Sequence, residues 1–285
     1  IITFSFVSIA LPDKIEVSCY AVYYGYEWDD SLLSFDMLIL SPLFKEEYIG
    51  RLRENNVIVI GYLSIATIGG WEPWAKEVSD DIILKIDETW NEKIINLSSE
   101  YWRDIVLNKA IPYLLDKGFD GVFLDYLDMV DVYPDMKGAM ISLIGDIRAR
   151  YPDIYIIVNR GFSIIREISP FIDGVLFECF ATYYDFSSNE YKEWKDDDLE
   201  WIKDVSYNLT KLSLEYGYLV FALGYCNMDD ARDKVQCMKT VNDLAGKYNF
   251  IPYAADIKLI AINKEYSCRN IPLKHNIETR DRHRG

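Results

Sequence analysis

Eight short runs rich in apolar and β-branched residues recur along the chain, at 20–24, 35–40, 57–64, 121–125, 155–159, 174–178, 219–224 and 251–255, and stretches with helical periodicity separate several of them. Strands that alternate with helices form a parallel sheet, because a parallel pair needs a long crossover and a helix supplies it. Eight such units within 285 residues predict one closed (β/α)8 barrel, the TIM-barrel class of α/β fold, over an open doubly wound sheet. No GxGxxG or P-loop follows the first run, which removes the main support for an open-sheet nucleotide binder.

The intervening segments carry helix signals. Residues 102–117 place Ile105, Val106, Ala110, Ile111, Leu114 and Leu115 on one side, and 137–151 do the same with Met140, Ile141, Leu143, Ile144 and Ile147. Lys117-Gly118 and Tyr151-Pro152-Asp153 read as helix stops. The acid-rich stretch 187–204, around Trp194 and Trp201, reads as a solvated loop and helix on the barrel exterior. The expected organisation is an N-terminal segment over 1–19, the barrel over 20–256, and a polar, finally basic extension over 257–285 that is mobile at its end.

Charge and histidine content narrow the chemistry. The net charge is −16, which argues against general nucleic-acid binding and would suit a cationic ligand. Both histidines, His275 and His283, fall near the C-terminus, so a Ser-His-Asp triad, a Cys-His dyad or a His-rich zinc site has no histidine within the predicted barrel. Acid–base work falls to carboxylates, helped by some of the 22 tyrosines.

The five cysteines are widely spaced and odd in number. They form no CxxC motif, leave at least one thiol unpaired within a monomer, and do not read as a disulfide scaffold. Residues 1–10 read either as the tail of a secretory leader or as a first strand, and are too short to span a bilayer. Asn96 and Asn208 lie in glycosylation sequons, a pattern too common to carry weight. Nothing in the sequence sets the oligomeric state.

A parallel barrel keeps its site at the C-terminal ends of its strands. Gly121-Val122-Phe123-Leu124-Asp125 is apolar until its last residue, and Gly174-Val175-Leu176-Phe177-Glu178 repeats the pattern two strands later. Two acids at corresponding strand ends, partly desolvated and without histidine, are the equipment of glycoside hydrolysis. Asp125 and Glu178 are therefore the catalytic candidates. Tyr62, Trp71, Trp74, Tyr126, Tyr183 and Tyr184 fall at or just after strand ends, where rings stack on sugar faces. Asn159 offers an amide to a substrate hydroxyl or to a carboxylate, and Asp128 supports Asp125 or reaches a substrate amine. With Ser64 at the end of its strand, the substrate-binding candidates are Tyr62, Ser64, Tyr126, Asp128, Asn159 and Tyr183. A competing constellation, Asp125, Asp128, Asp131 and Asp135, is acid-rich enough for a divalent cation but lacks the glycine and distal glutamate of a calcium loop, so no metal site is assigned.

Several of these strings, in this order, are shared with one family. Gly61-Tyr62-Leu63-Ser64, Trp102-Arg103-Asp104-Ile105-Val106-Leu107, the run KGFDGVFLDYLD over 117–128, Asn159-Arg160-Gly161-Phe162, and Asp173 through Glu178 together resemble glycoside hydrolase family 114, typified by endo-α-1,4-polygalactosaminidase. The likeness covers roughly residues 20–255, and KGFDGVFLD is its most specific element. It implies a cofactor-free (β/α)8 barrel that hydrolyses α-1,4 linkages in a galactosamine-containing polysaccharide or oligosaccharide, outside the cell or at its surface. The family's two catalytic carboxylates fall on Asp125 and Glu178. One departure follows Ser64: where the family carries a glycine-glutamate run with a further acid, this chain reads Ile65-Ala66-Thr67-Ile68-Gly69-Gly70-Trp71-Glu72. Glu72 is the acid that could substitute from a shifted position, and the alternative to a hydrolase is a carbohydrate-binding barrel without turnover.

Overall fold

The structure is a computed structural model that describes residues 16–88 and 90–268. Eight parallel strands form its centre: β1 (Tyr20–Tyr23), β2 (Met37–Leu40), β3 (Ile58–Ser64), β4 (Gly121–Asp125), β5 (Tyr155–Asn159), β6 (Gly174–Glu178), β7 (Leu219–Tyr225) and β8 (Ile251–Ala255). They pair in chain order from β1 to β8. Around the remaining seam, the Tyr20 ring lies 5.7 Å from that of Tyr253, and the Tyr24 N–H donates to the Leu259 carbonyl just past β8 at 2.7 Å. The result is the expected (β/α)8 barrel, nearly closed. Strands covered on both faces read as continuous apolar runs; all four residues of β2 are fully buried.

The outer helices are α1 (Glu46–Glu54), α2 (Glu100–Ile105), α3 (Ile111–Asp116), α4 (Lys137–Arg150), α5 (Asp196–Tyr216) and α6 (Ala231–Tyr248), with shorter turns between them. The helix predicted over 102–117 is interrupted: a π turn at Val106–Ala110 separates α2 from α3. Its predicted stop holds, with Gly118 at φ +99°, a conformation that side chains rarely adopt. Gly121 answers a different need. A Cβ there would sit 2.2 Å from the Tyr155 carbonyl, so the close approach of β4 to β5 requires glycine.

An aspartate clamps the base of each acid-bearing strand. Asp120, before β4, accepts from the Val59 N–H of β3 and from Arg53 Nε, both at 2.9 Å. Asp173, before β6, accepts from the Ile156 N–H of β5 at 2.8 Å and from Arg148 Nη2 at 2.5 Å. Both strands are thus fixed in register at one end and carry a carboxylate at the other.

Two excursions rise from the barrel mouth, neither of which the sequence pattern predicts. After β3, segments Thr67–Ile68, Ile83–Asp87 and Glu92–Ile95 form a small antiparallel sheet. After β6, Thr182–Asp185 and Glu190–Glu193 form a hairpin. They meet where the Trp90 ring packs edge-on against Phe186, with centroids 5.4 Å apart.

The cysteine reading needs correction. Cys19 pairs with Cys268 and Cys226 with Cys237, leaving Cys179 as the free thiol. Wide spacing conceals the pairs because the barrel brings distant segments together: Cys19–Cys268 joins residues 249 apart, fastening the chain after β8 to the entry of β1. The start of the predicted extension packs onto the barrel, with Asn263 Nδ2 bonded to the Ala254 carbonyl at 2.9 Å. The leader-or-strand reading of residues 1–10 and the mobile basic end lie outside the described residues. No helix among the described residues is long and apolar enough to cross a membrane.

Candidate active site at the barrel mouth

Asp125 and Glu178 face each other across Asn159. The Asn159 side-chain amide, at the end of the intervening strand, donates to Asp125 Oδ1 at 2.8 Å and to Glu178 Oε2 at 2.5 Å. The two oxygens bound to this nitrogen are therefore at most 5.3 Å apart, the combined length of the two bonds. Asp125 Oδ1 also accepts from the Tyr126 N–H at 2.8 Å, and the Tyr62 phenol bonds to the same carboxylate. Glu178 Oε1 accepts from the Tyr225 phenol at 2.5 Å.

Each of these strand-end residues is followed by a non-glycine residue in the left-handed region: Tyr126 at φ +66°, Arg160 at φ +55° and Cys179 at φ +58°. Such a residue costs about 1–2 kcal/mol, and strain of this kind collects at functional sites. Here it has a local cause. The chain must leave the barrel immediately after a side chain that points into its mouth.

Burial, and then the charge of Glu178, push the Asp125 carboxyl up to about 6, against the hydrogen bonds from Asn159, Tyr126 and Tyr62. Burial also raises the phenols of Tyr62 and Tyr225 far above their ordinary range, so both are neutral donors.

The other predicted residues land in varied roles. Ser64 is buried, and its hydroxyl shares a 2.6 Å bond with that of Thr67, which in turn donates to Glu92 Oε2 at 2.5 Å. Ser64 therefore supports the wall of the site. Asp128 accepts from the Gly161 N–H at 3.0 Å and pairs with Arg160 Nε at 3.0 Å, so it anchors the turn after β5. Tyr183 stacks on Trp194 with centroids 3.8 Å apart. Trp71 is exposed near the Tyr62 ring, but Trp74 is buried against Tyr113, away from the expected sugar platform. Tyr184 packs within the hairpin against Phe186 and Tyr191.

Glu72 does not take the place of the missing loop acid. Its carboxylate accepts the N–H groups of Gly69 and Gly70 at 2.9 Å and closes its own turn. The acid that reaches the site wall is Glu92, absent from the candidates. Burial raises its carboxyl above the ordinary range, against bonds from Thr67 and the Tyr126 phenol. The acid-rich run disperses: among the described residues Asp125, Asp128, Asp131 and Asp135 form no cluster with ligand spacing, and the acid-and-cysteine group that does is built around the Cys19–Cys268 disulfide.

Tyr24, Tyr225, Glu92 and Thr67 are the site residues that sequence reasoning missed. Tyr225 had a signal, since it continues the inward alternation of Phe221 and Leu223 one residue past the predicted strand end. Tyr24, whose ring lies 5.3 Å from that of Tyr62, falls just past β1. The partnership of Thr67 with Glu92 crosses 25 residues and leaves no local pattern.

Fold and site together define a (β/α)8 barrel whose mouth holds a close pair of carboxylates, an architecture suited to carbohydrate chemistry. Residues 31–271 match the model of glycoside-hydrolase family GH114, and the chain belongs to that family. Among solved structures it is similar to the glycoside hydrolase domain of PelA from Pseudomonas aeruginosa, at 22% identity and a TM-score of 0.75 over 87% of this chain and 98% of that one. It is also similar to Aspergillus fumigatus Ega3, solved in complex with galactosamine, at 20% identity and a TM-score of 0.68 over 88% of this chain and 96% of that one. No curated protein sequence matches the chain.

Proposed function

We propose that the protein is a retaining glycoside hydrolase that cleaves α-1,4 linkages in a galactosamine-containing polysaccharide, with Asp125 as nucleophile and Glu178 as general acid and base. The observation that carries this reading is the bridge through Asn159. Carboxyl groups about 5–5.5 Å apart serve double displacement, whereas single displacement needs about 6.5–9.5 Å to admit a water, and the two oxygens that Asn159 bridges are no more than 5.3 Å apart.

In the first step an Asp125 oxygen bonds to the anomeric carbon as the glycosidic C–O bond breaks, and the Glu178 proton passes to the leaving oxygen. In the second, water attacks the same carbon, Glu178 takes its proton, and the Asp125 ester bond breaks. Two carboxylates this close retain one proton between them. A cationic amino sugar beside Asp125 favours the ionised form that the nucleophile needs. The galactosamine bound in Ega3 and the acidic balance of this chain support an amino-sugar substrate.

Two disulfides are the chemistry of an oxidising compartment and support action outside the cell or at its surface. The test is release of reducing ends from partly deacetylated galactosamine polymer. Asp125→Asn and Glu178→Gln should each lose on the order of 10³-fold or more in kcat/KM while folding normally. Near-normal turnover by either variant would remove the assignment, and sugar retention without cleavage by the wild type would leave a binding barrel.

A further inference from the structure

Three side chains that the catalytic pair does not use converge beside Glu178. Arg160 and Cys179, from the left-handed turns after β5 and β6, and Trp194, from the chain that follows the hairpin, line one cavity with Tyr183, Asp198 and Trp201. Its volume is about 290 Å³, near the low end of ligand-sized pockets. The Trp194 ring is fixed twice over, by its stack on Tyr183 and by a 2.7 Å bond from its Nε1 to the Cys179 carbonyl. Trp201 is held edge-on against Phe177 and Phe162 and still exposes nearly half its surface, 46%. These are rigid aromatic faces, the form in which proteins bind sugar rings. Within the solvated hairpin and helix of 187–204, Trp194, Asp198 and Trp201 line this cavity together with Glu178.

The charges are unequally engaged. The Arg160 guanidinium is paired with Asp128 and lies over the Phe162 ring. Asp198 enters none of the ion pairs among the described residues. Beyond the Tyr183–Trp194 stack the surface continues as an open groove of about 820 Å³, lined by Glu193, Lys195, Asp196 and Asp197.

We infer that this cavity is the leaving-group subsite, seating the sugar ring whose oxygen Glu178 protonates, with Trp194 and Trp201 as its walls and Asp198 as the carboxylate for that ring's free ammonium group. The inference rests on the assignment of Glu178 as the acid. A group that protonates the departing oxygen must lie on the departing sugar's side, and Glu178, not Asp125, lines this cavity. The open groove then carries the polymer outward.

Two measurements test it. The first is the structure of Glu178→Gln soaked with a galactosamine oligosaccharide, which reads the subsite whether or not the wild type turns over. A ring against Trp194 with its nitrogen at Asp198 is expected; sugar bound only elsewhere, or no sugar bound, overturns the inference. The second compares substrates. Trp194→Ala should lose at least roughly tenfold more kcat/KM on the polymer than on an aryl galactosaminide, whose leaving group needs no sugar subsite. Trp194→Phe should recover part of that loss. Asp198→Asn should reduce the preference for free-amine over N-acetylated polymer by roughly tenfold. Equal losses on both substrates, with an unchanged amine preference, would mean that these residues only hold the fold and would overturn the subsite while leaving Glu178 as the acid.

Discussion

At the scale of single residues the site is a balance around Asp125. Its carboxyl, ordinarily near 3.8, is raised to about 6 by burial and then by the charge of Glu178. The native state therefore binds this proton more tightly than the unfolded chain does. That contribution to stability is complete below about pH 4 and is lost as pH rises through about 6. Asp125→Asn never ionises and escapes the loss. Relative to wild type it should gain about 1 kcal/mol between pH 5 and pH 8, because much of a shift from 3.8 to about 6 is already expressed below pH 5 and the carboxylate is still partly open to the cleft. Parallel melting temperatures for the two proteins across that range would contradict the balance. Asn159 shows how little freedom the pair has: one nitrogen holds an oxygen of each acid and, in the proposed mechanism, fixes the spacing on which the stereochemical course depends.

At the scale of elements, each acid-bearing strand is a beam held at its base. Asp173 and Arg148 form a nearly buried pair at 2.5 Å, with side-chain exposures of 7% and 12%. Asp173→Ala strips the Ile156 N–H and Arg148 Nη2 of their acceptor, leaves the guanidinium charge with backbone carbonyls alone, and should cost about 3–5 kcal/mol by denaturant unfolding. A loss under about 1 kcal/mol would show that the clamp is not what fixes β6 against β5. The same elements show what was legible in the sequence. Asp125 and Glu178 stood out because an apolar run ending in an acid is complete within five residues, and the barrel strands because burial on both faces makes each run continuous. The strands after β3 escaped notice because they are short and partly exposed: Leu84 and Ile86 face solvent instead of forming an apolar face. Trp194 and Trp201 were hidden by the acids around them, although both line a cavity with Glu178. The disulfide pairs and the contact of Thr67 with Glu92 come from the closing of the barrel, a long-range event that local patterning does not encode.

At the scale of the whole molecule, Asp125 ionises beside the charge of Glu178 in a strongly acidic protein, and the proposed mechanism makes the two a working pair. The active form holds one proton, and the like charge of Glu178 helps retain it up to about pH 6. The ratio kcat/KM should therefore fall as pH rises through about 6, and Glu178→Gln should lower the value at which Asp125 ionises. A profile flat from pH 5 to 8 would contradict this. The −16 net charge acts at longer range, and on the proposed function it should speed association with a cationic polymer in a salt-dependent way. The central claim is that Asp125 and Glu178 lie close enough to cleave by double displacement. Proton NMR of the first-formed reducing ends from an α-1,4-linked galactosamine polymer, recorded before mutarotation, tests it most directly. Double displacement gives the α-anomer first, which then relaxes to the equilibrium mixture, whereas β-anomer as the initial product would exclude it.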